Sequence, residues 1–247
     1  MIWKNAPSLW NVYMKLKHEP RSFLYQFPVT FILLASLNFK KKHVLLGQHT
    51  EIVIEGFPRS GNTFAHVAFE YAQQRPIAIA SHFHAPGQII WAIRKNIPVL
   101  TIIRQPLESI PSSLIFEPYL SINQVIRSYL RFYAALIPYL DEMVVAEFNE
   151  ITHDFGQVIR KINDFYDTSF IIFEHTPQNV QTCFEKIDEI DRTYNNRPEV
   201  TDVTVARPSE NRQEKKKIIL EELKKEKYRR LINHAQGLYQ QYINHIN

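Results

Sequence analysis

Two glycines bracket four residues in the stretch EIVIEGFPRSGNTF, residues 51–64, where Gly56 and Gly61 enclose Phe57, Pro58, Arg59 and Ser60. Glycine at both ends lets the backbone turn tightly and come close to a ligand. An apolar run delivers this loop and a helix-forming run follows it from about Asn62. Such a loop aims backbone N–H groups at an anion, and the helix N-terminus adds partial positive charge. The implied chemistry is phosphate binding, with a plain strand-to-helix turn as the bland alternative. The nucleotide-hydrolysing pattern G-x-x-x-x-G-K-[ST] puts a lysine after the second glycine. Here Asn62 and Thr63 follow Gly61, and the cation sits inside the loop as Arg59. An ATPase or GTPase is therefore disfavoured, and a different phosphate-type ligand is expected.

A second cation, Arg104, ends the apolar run VLTIIR, and Ser112 follows eight residues later. A guanidinium fork matches a phosphate monoester, and a serine hydroxyl adds a neutral donor. Taken alone, an arginine capping a strand end would look the same. Another run ends in SHFHAPGQ, where His82 and His84 are two residues apart and would share one side of an extended chain. Either suits a general base near neutral pH. The alternative is that one histidine orients the other or bonds a backbone carbonyl. Glu55, Glu108 and Glu117 are carboxylate alternatives for the base.

PRSGNTF, residues 58–64, resembles the 5′-phosphosulfate loop of the sulfotransferases, roughly P-[KR]-S-G-T-T-[WF], with Asn62 in place of the usual threonine. Arg104 with Ser112 resembles the 3′-phosphate site of the same family. The resemblance covers residues 51–140 well and the rest from 143 loosely; residues 1–50 lie outside it. It implies 3′-phosphoadenosine 5′-phosphosulfate (PAPS) as co-substrate, the desulfated nucleotide PAP as product, and no metal. Pro58, Arg59, Ser60, Gly61, Asn62, Thr63, Phe64, Arg104 and Ser112 would hold the donor, with an amide at Asn62 still able to donate to a phosphate oxygen. Arg59 would face the bridging and sulfuryl oxygens. The family often carries a His-x-Pro base, which His84-Ala85-Pro86 matches; His82 has the better separation from Arg104, and both stay candidates. The family also closes its nucleotide site with a late basic loop. In ARPSENRQEKKK, residues 206–217, Arg207 and Arg212 are candidates for that role, against a helix start capped by Ser209. The acceptor would bear a hydroxyl or amine, a saccharide being preferred to a small phenol. Trp91, Phe116, Tyr119 and Tyr133 could stack on it or simply fill the core. The competing functions are a nucleotide or small-molecule kinase on a related scaffold and an inactive nucleotide-binding relative.

These residues need a rigid frame, and the apolar patterning supplies one. Short runs rich in β-branched residues at 52–56, 77–81, 99–104 and 143–148 are apolar almost throughout, which suits strands buried on both faces. Helical patterns alternate with them at 62–74, 88–94, 122–140 and 155–165, and a short apolar run lies at 170–173. This alternation predicts a three-layer α/β/α fold with a central, mostly parallel sheet of four or five strands and right-handed crossovers. One domain is expected over residues 1–247, with a helical extension at 1–50 and one long amphipathic helix from about 213 to 247. That last helix would carry its lysines on a solvated face.

Composition narrows the class further. A chain of 247 residues with 45% hydrophobic and 22% charged content is an ordinary globular protein, so a disordered tail is excluded. A single cysteine, Cys183, excludes a disulfide scaffold and any cysteine-rich metal site, and is expected in the core. The net charge of +4 favours anionic partners, but no nucleic-acid module is recognisable. The apolar stretch 27–39 is too short to span a bilayer and starts too late for a secretory signal. It reads as a packed helix, with a membrane-surface contact helped by Lys40, Lys41 and Lys42 as the alternative. A cytoplasmic protein is expected.

Overall fold

In the computed structural model, residues 8–195 and 210–246 are described, and Arg207 of the late basic segment lies outside them. Four strands, β1 (Ile52–Gly56), β2 (Ile79–Ser81), β3 (Val99–Ile103) and β4 (Val144–Glu147), form one sheet in the order β2-β1-β3-β4. Every pairing is parallel, with Val53 opposite Val99, Gly56 opposite Ile102 and Ile103 opposite Glu147. The alternation along each strand shows why the sheet is covered twice. Val53, Val99, Ile103 and Val145 face one apolar cluster, and Ile52, Ile54, Leu100, Ile102, Val144 and Ala146 face the other. The fold is thus the expected three-layer α/β/α arrangement, with four strands. The run at 170–173 is not a strand; Asn163 and Gln73 side chains bond its backbone instead.

Helices α3 (Asn62–Gln73), α8 (Phe155–Tyr166) and α9 (Pro177–Asn195) cover one face. The other is covered by α4 (Pro86–Ile93), α5 (Pro106–Phe116), α6 (Ile122–Ala134) and α11 (Glu226–Ile246). Helix α6 starts on a full capping box, Ser121 with Gln124, and stops at Ala134, short of the expected 140, where a 3₁₀ turn over Ile137–Glu142 replaces it. Helix α7 (Phe148–His153) follows β4 directly. The expected single C-terminal helix is two, α10 (Glu210–Leu223) and α11, broken at Lys224 and Lys225. The break has a packing cause: α10 lies on α5 while α11 lies on α6, and Leu223 and Tyr228 are buried on either side of the turn.

The first fifty residues add α1 (Leu9–Leu24), α2 (Pro28–Ser36) and a 3₁₀ turn over Phe39–Val44. Phe31 and Ala35 of α2 are buried, and α2 sits so tightly on α4 that a Cβ at Gly87 would meet Phe31 Cβ at 2.8 Å and the Tyr25 carbonyl at 2.9 Å. Cys183 is buried in the α3-side core, and burial pushes its thiol up to about 11.

Candidate functional site

From β1 the chain runs through α3 to β2 on one side, then crosses over to β3 on the other. The order therefore reverses between β1 and β3, and a crevice outside their carboxyl ends is where open α/β sheets bind ligands. Gly56 ends β1 there and Arg104 directly follows β3. A Cβ at Gly56 would come within 2.4 Å of the Ile102 carbonyl, so only glycine lets β1 reach the loop at this spacing.

The loop closes in a tight turn, with Ser60 N donating to Phe57 O at 3.2 Å, Arg59 at φ 67° and Gly61 at φ 93°. Gly61 begins α3 with no side-chain cap, which leaves the amides of the first turn aimed out of the helix. Tyr133 of α6 fixes the loop from beneath. Its hydroxyl donates to Ile102 O at 2.9 Å, takes the Phe57 N–H at 3.4 Å and touches Ser60 Oγ at 3.4 Å. Asn62 departs from expectation. Its Nδ2 turns inward to Phe57 O and Gly56 O, at 3.1 and 3.4 Å, so its side chain braces the loop. Phe64 is core, against Phe173 and Phe184.

Arg59, Arg104 and Ser112 meet across this crevice. Arg59 Nε donates to Ser112 Oγ at 3.3 Å, and its guanidinium lies 5.1 Å from the Phe116 ring. Arg104 Nη1 donates to Arg59 O at 2.9 Å, its Nη2 pairs with Glu108 at 3.2 Å, and the guanidinium stacks 3.8 Å over Phe148. Glu108 also binds Lys216 of α10. Arg212, on the first turn of α10, is close enough to act on Arg59 electrostatically. Burial, then Arg212 and then Arg104 pull the Arg59 guanidinium down to about 9, opposed by Asp191 of α9. Helix α9 is hard to read in the sequence, where 177–195 shows only a loose apolar stripe.

The two histidines are not in extended chain: His82 and His84 both adopt left-handed backbone, at φ 60° and 52°, and their rings are 6.2 Å apart. Their environments separate them. His82 Nδ1 lies 2.7 Å from Ser81 Oγ and its Nε2 lies 3.4 Å from Thr63 Oγ1, so both ring nitrogens are engaged. His84 Nδ1 donates to Gly56 O at 2.8 Å, because a carbonyl can only accept; this fixes the tautomer and leaves Nε2 with its lone pair. The His84 ring lines a cleft with His18, Arg21 and Tyr25 of the N-terminal helical region and Glu117 after α5. Burial, then Lys41, lower His84 to about 3, and burial with His66 and His84 holds His82 well below the usual range.

Glu55 is the buried carboxylate beneath both. It accepts from Phe83 N at 2.9 Å, from His84 N at 3.1 Å and from Gln88 Nε2 at 3.1 Å, and burial pushes it up to about 8. Its carboxyl thus ties down the left-handed turn that aims His84. Of the sequence's carboxylate alternatives, Glu55 is enclosed, Glu108 joins two cations, and Glu117 accepts from the Tyr119 hydroxyl at 2.6 Å. Tyr133 is core, and Phe116 is 41% exposed beside Arg59. Among the described residues no group of three His, Cys, Asp or Glu side chains converges as a metal site.

Fold and site together define an α/β protein with a glycine-bracketed loop and an uncapped helix start at the switch point of a parallel sheet. Comparison of the sequence finds no matching family model and no matching curated protein. Among solved structures, the chain is similar to the mouse sulfotransferase SULT7A1 in its complex with PAP. The identity is 12% and the TM-score 0.43, over 83% of this chain and 87% of that one.

Proposed function

We propose that this chain transfers a sulfuryl group from PAPS to a hydroxyl-bearing acceptor and releases PAP. The observation that carries the reading is the meeting of Arg59, Arg104 and Ser112 at an uncapped helix start, with Arg212 and Lys216 brought up by α10. Such a cluster complements a ligand bearing several negative charges, and a nucleotide with both a 3′-phosphate and a 5′-phosphosulfate is one. The loop amides and Arg59 would take the 5′ end, and Arg104 with Ser112 the 3′-phosphate. Glu108 now bridges Arg104 and Lys216, two cations that a phosphate could also engage.

The reaction is an in-line displacement. The acceptor oxygen attacks sulfur while the bond to the bridging oxygen breaks, and that electron pair stays on the 5′-phosphate of PAP. Charge on the bridging and sulfuryl oxygens is greatest in the transition state, where the Arg59 guanidinium stabilises it. The acceptor proton passes to Nε2 of His84, whose Nδ1–H is held by Gly56 O. Approach of the nucleotide's negative charge raises the His84 basicity that burial and Lys41 depress. His82 positions Thr63 and the turn. The cleft beside His84 presents His18, Arg21 and Glu117 among Tyr25, Phe57 and Phe132, and polar groups set between apolar faces suit part of an acceptor such as a saccharide.

Calorimetry with PAP, with its analogue lacking the 3′-phosphate and with Mg·ATP tests the donor site. PAP is expected to bind without metal, more tightly than the analogue by on the order of 100-fold, the worth of a well-paired phosphate. Binding of Mg·ATP with no response to PAP would overturn the reading in favour of a kinase.

A further inference from the structure

Helix α1 is amphipathic the wrong way round. Its inward residues are mostly polar, Asn11, His18, Glu19, Arg21 and Ser22 beside Met14 and Leu24, and it is held to α6 by polar bonds. Arg131 pairs with Glu19 at 2.5 Å and donates to Ser22 Oγ at 2.7 Å, and Gln124 Nε2 donates to the Lys15 carbonyl at 2.9 Å. Most of its apolar residues point outward: Leu9 is 89% exposed, Trp10 65% and Leu16 70%, and no residue of the helix is fully buried. Helix α2 buries Phe31 and Ala35 yet also leaves Val29, Leu33 and Leu37 exposed at four-residue spacing, and Phe39 is exposed in the turn after it. The two stripes join where Phe23 and Phe27, both exposed, meet edge to face at 5.5 Å. Of the eighteen large apolar side chains exposed among the described residues, twelve fall between 9 and 39. That concentration marks one interaction surface, since scattered exposed apolar residues would need no explanation.

We propose that this α1–α2 face docks on the surface of an anionic phospholipid bilayer. The charges on the face choose the partner. Lys15 and Lys17 flank the α1 stripe, Lys42 lies 4.4 Å over the exposed Phe39 ring, and Lys40 adjoins it in sequence. Glu19, the one acid between residues 9 and 43, is already paired with Arg131. Apolar side chains with interleaved lysines and aromatics of the Trp and Tyr type are the composition of an interfacial helix. Self-association through this face would set lysines against lysines with no carboxylate to answer them, and protein interfaces are depleted in lysine. Lys41 takes no part in this face, being half-buried with its Nζ donating to the His82 carbonyl at 2.5 Å. Among the described residues no helix is long and apolar enough to cross a membrane, so the contact is a surface one.

The test uses the full chain with extruded vesicles of phosphatidylcholine, alone or with about 30% phosphatidylserine, an anionic fraction that gives a negative surface potential. Cosedimentation should favour the phosphatidylserine vesicles by about tenfold or more, and Lys15→Glu with Lys17→Glu should remove that preference. Leu16→Glu with Leu33→Glu should abolish binding to both. These positions are exposed, so circular dichroism should be unchanged. Should a variant nevertheless fail to fold, quenching of wild-type tryptophan emission by brominated lipid, and its reduction in Trp10→Phe, decides the matter. Absence of sedimentation and of quenching overturns the proposal. Binding that survives both leucine substitutions also overturns it. A dimer in light scattering that Leu33→Glu splits, with no lipid binding, would make the face a contact between copies instead.

Discussion

Replacing His84 by asparagine separates the chemistry from the architecture better than alanine would. The asparagine amide nitrogen can stand where Nδ1 stands now and keep the bond to Gly56 O, while nothing remains at the position of Nε2. The backbone at 84 is left-handed, which asparagine tolerates better than histidine. Relief of about 1 kcal/mol there offsets a loss of about 1 kcal/mol from the smaller buried side chain. The melting temperature should therefore stay within about 3 °C of wild type. PAP affinity should hardly change, because the substitution leaves every cation of the crevice in place. Turnover, followed as sulfuryl transfer from radiolabelled PAPS to whichever acceptor a saccharide and phenol screen supplies, should fall by about 10²- to 10⁴-fold. His82→Asn breaks contacts to Ser81 and Thr63 and should cost less in rate and more in stability. A folded, PAP-binding His84→Asn variant within about threefold of wild-type turnover, far below the worth of a general base, would refute the assignment of His84.

Arg104→Ala should weaken PAP binding by about 2–4 kcal/mol, and binding of the analogue lacking the 3′-phosphate by only about 1 kcal/mol, through the lost bond to the Arg59 carbonyl. Equal losses in calorimetry would mean that Arg104 acts through the loop alone. The His84 imidazole, held at about 3 without ligand, should titrate at higher pH when PAP is bound, since the anion favours the imidazolium; carbon-13 spectra of labelled histidine would read the shift, and an unchanged or lower value would count against the site. Glu55 sits at about 8 against an ordinary 4.5, so the folded chain holds more protons than the unfolded one between those values, and this group's stabilisation is lost as pH rises through the window. His66 and His84, lowered to about 4 and about 3, act the opposite way only below about 6.5. Melting temperature should therefore fall from pH 6.5 to 8 in wild type, and Glu55→Gln should flatten that fall; an equal slope in both would place the cause elsewhere.

The frame is legible because buried parallel strands write themselves as unbroken apolar runs, and all four strands lie in such runs, β2 starting two residues later than its own. Where the sequence misleads, a side chain has two possible partners. Asn62 reads as a phosphate donor by position, yet two carbonyls of the turn lie within its reach and take its amide. His82 and His84 are indistinguishable by spacing, and what separates them is a left-handed turn pinned by Glu55, with no glycine to announce it. Residues 213–247 read as one apolar stripe at helical spacing, and that period does not reveal that α10 lies on α5 while α11 lies mainly on α6. Arg212 nears Arg59 from α10, which packs on α5, whereas Arg104 and Ser112 reach the crevice from the end of β3 and from α5 itself.

Tyr133 joins the crevice to a distant part of the chain. Its hydroxyl holds the loop, and its carbonyl accepts the Tyr242 hydroxyl at 2.7 Å, from a ring buried 5.3 Å away. During synthesis the loop, the sheet and α6 all leave the ribosome well before that tyrosine. A nascent chain thus carries the loop and Tyr133 for more than a hundred residues before Tyr242 can join them. Completion of this brace is accordingly a late event in synthesis, timed by residue 242 and not by the loop that it steadies.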